Sequence, residues 1–85
     1  MTKYGKLIIQ ILEGSSDKNI TFSQLSGLLI RLGFDQRIKG SHHIFYKSGL
    51  DEIINIQPDY NNMAKPYQVK QVRDLIIRYK LTELL

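Results

Sequence analysis

The chain has 85 residues, with twelve Lys and Arg against eight Asp and Glu and a formal charge of +4. That length gives one domain whose apolar core is only just sufficient, and the absence of cysteine excludes a disulfide framework and a thiolate metal site. No apolar run reaches the ~20 residues of a membrane span, and MTKYGKLIIQIL, interrupted by Lys3 and Lys6, lacks a signal-peptide pattern, so a cytoplasmic protein with no membrane partner is the expectation.

Residues 3 to 13 place Tyr4, Leu7, Ile8, Ile11 and Leu12 at helical spacing. Gly14 offers a left-handed end, and GSSDKN reads as a connector. Thr21 opens a second helix: Thr21-Phe22-Ser23-Gln24 fits a capping box, in which two side chains satisfy otherwise unpaired backbone donors. Phe22, Leu25, Leu28, Leu29 and Leu32 form its apolar stripe, and Gly33 ends it. Beyond Gly33 the period changes. Residues 34 to 38, 42 to 47 and 52 to 57 read as short strands, separated by the turns Lys39-Gly40-Ser41 and Ser48-Gly49-Leu50-Asp51. Pro58 stops the third, and Asp59-Tyr60-Asn61-Asn62 is loop. Pro66 suits the first position of a last helix, where its missing N–H is harmless, and Val69, Val72, Ile76 and Tyr79 follow at helical spacing. The predicted order is α-α-β-β-β-α. This is an α+β domain with helices on one face of an antiparallel meander and the other face open. Phe22, Phe34 and Phe45 are expected in the core.

Chemistry concentrates in KGSHHIFY, which holds both histidines of the chain. A surface or packing role is the plain reading for either. A shared metal is disfavoured, because zinc wants three or four ligands and adjacent strand residues point to opposite faces. His42, Ile44 and Tyr46 share one face, and His43 and Phe45 share the other, so only one imidazole stands on the open face. Imidazole exchanges protons near neutrality. RNA carries its own nucleophile, the 2′-hydroxyl, so one histidine with one or two cations is chemically sufficient for cleavage without a metal or other cofactor. The charge pattern fits such a substrate. Arg31, Arg37, Lys39 and Lys47 face one acid within residues 31 to 47, and Lys65, Lys70, Arg73, Arg78 and Lys80 face one within residues 65 to 80. Lys39, Lys47, Lys65, Lys70 and Arg73 are the bases expected beside an RNA backbone. Gly40 and Ser41 could bring backbone N–H groups close to a phosphate. Tyr60, in its loop, is the better candidate for stacking on an unpaired base; Tyr46 and Tyr67 are weaker ones.

The string GSHHIF, after a Leu-Gly-Phe segment and before a strand, a proline and a final basic helix, resembles the HicA toxins of bacterial and archaeal toxin–antitoxin modules. The resemblance covers about residues 25 to 81. It implies a fold like a double-stranded-RNA-binding domain, an mRNA endoribonuclease activity independent of the ribosome, and neutralisation by a HicB antitoxin. The family's Gly-Ser-His falls on Gly40, Ser41 and His42, which gives His42 the catalytic role, with His43 as second choice. Two departures stand out. Family members often carry Val-Pro followed by a histidine or a base where this chain has Gln57-Pro58-Asp59-Tyr60. The helix of residues 3 to 13 is also an addition, so the chain reads as one domain with a family core at about 22 to 81 and an N-terminal helix and connector before it. Two other classes compete with the nuclease: an RNA-binding module of the same fold that does not cleave, and an interaction domain whose basic face meets an acidic protein.

Overall fold

The capping box at Thr21 is complete: the Thr21 hydroxyl accepts from the Gln24 N–H at 3.0 Å, and the Gln24 side chain accepts from the Thr21 N–H at 2.8 Å. The structure, a computed structural model, describes residues 3–84; Met1, Thr2 and Leu85 lie outside the described residues. Helix α1 spans Lys3–Glu13, α2 Phe22–Arg31 and α3 Pro66–Tyr79; strands β1 Asp35–Lys39, β2 His42–Tyr46 and β3 Ile54–Ile56 form one antiparallel sheet in the order β1-β2-β3. Short 3₁₀ turns occupy Asp17–Asn19 and Leu81–Leu84. The element order is the predicted one, α-α-β-β-β-α.

The strand boundaries differ from expectation for identifiable reasons. Strand β1 begins one residue late because the end of α2 uses Phe34. Gly33, at φ +94°, turns the chain left-handed, its N–H bonds to the Ile30 carbonyl, and the Phe34 N–H bonds to the Leu29 carbonyl. This Schellman closure takes the donor that a strand would need. Strand β2 ends at Tyr46 because the Lys47 carbonyl accepts the Leu50 N–H in the following turn. Strand β3 keeps only three of six expected residues. Glu52 is drawn to Arg78 on α3, Ile53 is 60% exposed, and Pro58 follows Gln57 without a ladder donor.

One sheet face is buried and the other open. Phe45, Ile54 and Ile56 are fully buried against Leu25, Leu28 and Leu29 of α2 and Val69, Val72 and Ile76 of α3. Each such side chain contributes ~1.5–3 kcal/mol relative to exposure. Phe34 is buried with them, whereas Phe22 only packs partly against the core. Helix α1 extends that core with Leu7, Ile8 and Ile11, the last with no exposed surface. It is tied to α3 by Arg73, which donates to the Ile11 carbonyl at 3.1 Å and pairs with Asp17 at 3.0 Å. No helix is long and apolar enough to cross a membrane among the described residues.

Candidate functional site

The hairpin that carries the histidines is set by its turn. Lys39 pairs directly with His42, so Gly40 and Ser41 alone connect β1 to β2. Gly40 has φ +63°, and Ser41 stays out of the left-handed region, which is the II′ pattern with glycine at its first central position. A Cβ at Gly40 would meet nothing within 4 Å, so the turn is open to solvent and to a ligand.

Register then assigns faces. Lys39 opposes His42, Arg37 opposes Ile44, and Ile44 opposes Asn55; directly paired residues share a face. Lys39, Arg37, His42 and Asn55 therefore line the open face, and all four are exposed. Across the sheet diagonal, His42 donates from Nδ1 to Oδ1 of Asn55 at 3.2 Å. A carbonyl oxygen can only accept, so this contact fixes a proton on Nδ1. The opposite ring nitrogen, Nε2, has no protein partner among the described residues. His43 points the other way. Its ring is half-buried, meets Phe22 edge-to-face at 4.7 Å between centroids, and contacts Oε1 of Gln36 at 3.2 Å.

Beside His42 lies an open depression of about 260 Å³, lined by His42, Asn55, Gln57, Tyr67 and Gln68. It joins the open sheet face to the first turn of α3, where Pro66 takes the first helical position and Lys65 the cap. Among the described residues, no group of three or more His, Cys, Asp or Glu side chains is placed to hold a metal ion.

The other expected residues fall in several places. Lys39, Gly40 and Ser41 are at the imidazole. Lys65 is half-buried at the α3 cap and Lys70 is exposed on that helix. Lys47 leaves the far end of β2 toward the helices, and its ammonium lies over Gly33: a Cβ built there would be 2.7 Å from Nζ. Arg73, with 17% of its side chain exposed, is engaged by Asp17 and the Ile11 carbonyl on the flank of α3 that meets α1. Tyr60 is 93% exposed at the tip of a loop shaped by Asp59, whose Oδ1 accepts from the Asn61 and Met63 N–H groups. A separate cluster joins the β2–β3 connection to the end of α3. Arg78 donates to Glu52 at 3.1 Å, and the Tyr79 hydroxyl is held above its ordinary value of 10 by hydrogen bonding to the Glu52 carboxylate, with burial adding to it.

Arg37, Asn55 and Gln68 belong to this region and were not among the expected site residues. Asn55 had a sequence signal, a polar residue alternating with the buried Ile54 and Ile56. Its pairing to His42 depends on a register that composition does not give.

The family described as the HicA toxin of bacterial toxin–antitoxin systems matches residues 22–79, more than half of the chain. No curated protein and no solved structure matches it.

Proposed function

The chain belongs to the HicA toxins of bacterial toxin–antitoxin systems, and on that premise we propose that it is an endoribonuclease that cleaves mRNA with His42 as its acid–base group. The observation that supports this most is the setting of His42. It is exposed on the open sheet face, its Nδ1 proton is engaged by Asn55, and Lys39 stands directly across the ladder. That tautomer leaves the Nε2 lone pair to take the proton of an RNA 2′-hydroxyl. The 2′-oxygen then bonds to phosphorus, the bond to the 5′-oxygen breaks, and a proton returns to that leaving oxygen from the imidazolium. The products are a 2′,3′-cyclic phosphate and a 5′-hydroxyl. Lys39 supplies positive charge to the non-bridging oxygens as charge accumulates there. The nucleophile comes from the RNA, so this chemistry calls for no metal. Lys65 and Lys70 extend the basic surface along α3, and Tyr60 offers a ring to an unpaired base. Lys47 and Arg73 have their charges directed to Gly33 and Asp17 and serve the RNA less directly.

The partners of this reading are mRNA in the cytoplasm and a HicB-like antitoxin that neutralises the chain. The functional unit is the whole domain, with α1 added to the family core. The test is purified protein with end-labelled RNA in the presence of a chelator, wild type against His42→Ala. Cleavage to cyclic-phosphate ends by the wild type alone supports the proposal. A wild type that shifts RNA in a gel and leaves it intact supports instead a non-catalytic RNA-binding module, for which the exposed row of Lys39 and Arg37 is adequate.

A further inference from the structure

Gln68 is the one buried polar residue among the described residues, 2% exposed, and its Oε1 has no hydrogen-bond partner there. Its other amide atom, Nε2, reaches only the Tyr67 hydroxyl at 3.4 Å, long enough to be weak. A buried amide left in this state costs stability, and such groups call for an explanation. Gln68 lines the same depression as His42. The walls there are uncharged amides, Asn55 and Gln57, with the exposed phenol of Tyr67 above. No Lys or Arg contributes to it. That lining suits neither a phosphate nor an acidic peptide. Amides present a donor and an acceptor in one plane, which is how Asn and Gln read base edges, and RNA-binding surfaces stack unpaired bases on aromatic rings. The volume is below the roughly 300–1,000 Å³ of drug-sized sites, as fits one planar ring system.

We propose that this depression is a nucleobase subsite beside His42, in which Tyr67 moves onto the ring of an unpaired base and the freed Gln68 amide pairs with an N–H donor on the base edge. His42 then divides two environments: Lys39 on the β1 side for the phosphate, and the amides on the β3 and α3 side for the adjoining base. The orphaned Oε1 needs a donor, which the amino groups of adenine, cytosine and guanine and the N3–H of uracil all offer, so the subsite takes a base without selecting one. The subsite rests on the ribonuclease reading for its role in cleavage but binds a base without it.

The test is a titration of the intact, ¹⁵N-labelled protein with each of the four 3′-nucleoside monophosphates and with inorganic phosphate, following the side-chain amide signals of Asn55, Gln57 and Gln68. Saturable shifts with all four nucleotides, and none with phosphate, are expected. Gln68→Leu, which nearly keeps the side-chain volume and removes the orphan, is expected to fold at least as stably and to bind the nucleotides at least tenfold more weakly. Equal shifts with phosphate alone, no shift at Gln68, or unchanged nucleotide affinity in Gln68→Leu would each overturn the subsite. Absence of RNA cleavage by the wild type removes the proposed function and leaves this titration standing; cleavage without shifts specific to the nucleotides removes the subsite alone.

Discussion

His42 and His43 are one peptide bond apart, yet the same substitution acts on different properties at the two positions. His42 is exposed and holds one contact, to Asn55, so His42→Ala leaves the melting temperature within a degree or two of wild type. On the proposed function it also removes the general acid–base group, which costs about 10²–10⁴-fold in rate, and RNA cleavage kinetics measure it. His43 packs on Phe22. His43→Ala gives up an aromatic contact of ~0.5–1.5 kcal/mol and the packing around it, so thermal unfolding reports the change while His42 remains in place. Asn55→Ala separates positioning from chemistry: the fold is unaffected, and the rate falls by about tenfold because Nδ1 no longer has a fixed acceptor. Retained rate in Asn55→Ala together with loss in His42→Ala would leave His42 catalytic and Asn55 irrelevant to it.

At the scale of elements, the ends of α2 and the flanks of α3 determine where the hairpin sits. Thr21→Ala removes half of the capping box and costs ~1 kcal/mol, seen as a shift in the urea midpoint at constant m-value. Gly33→Ala places a Cβ on a residue at φ +94° and pushes the Lys47 ammonium aside. The ammonium moves easily, so the cost is mainly backbone strain of about 1–2 kcal/mol. The ion pair of Arg73 with Asp17 is largely shielded. Arg73→Met therefore destabilises by about 1–3 kcal/mol, by losing charged hydrogen bonds and leaving a carboxylate without its partner. The Tyr79 phenol is held protonated in the folded state above its unfolded value near 10. The folded protein thus binds that proton more tightly; the stabilisation is complete below pH 10 and is lost as pH rises through the folded value. Glu52→Gln lowers the phenol midpoint in an ultraviolet titration.

At the scale of the whole molecule, charge decides the salt dependence of the proposed RNA binding. Each phosphate contact changes the slope of log affinity against log salt by ~0.7 on a single strand. Lys39→Gln and Arg37→Gln each flatten that slope by about this amount on a 2′-O-methyl RNA that cannot be cleaved. Arg73→Gln leaves it as it was. This difference shows what a chain's composition can and cannot tell. The helices, the Thr21 cap, the Gly33 stop and the alternation that parts His42 from His43 are local, and local sequence carries them. Arg73 looks like any other base in a basic helix. Its partner lies 56 positions away at Asp17, and no periodicity links the two. Asn55 and Gln68 were hidden for the same reason, since each matters through a neighbour that only the register or the packing of α3 brings near.

The bond from Arg73 to the Ile11 carbonyl and Asp17 also bears on synthesis. Helix α1 buries its apolar face against elements that include α3, and the guanidinium that fastens it belongs to the last long helix. During translation the N-terminal helix leaves the ribosome with no such fastening, and the sheet that carries His42 lacks the helix whose Val69, Val72 and Ile76 share its core. A nascent chain stopped before α3 has neither an assembled core nor a presented imidazole. On the proposed reading, a chain interrupted before α3 is a harmless fragment, and the cell meets the nuclease only once α3 has been made.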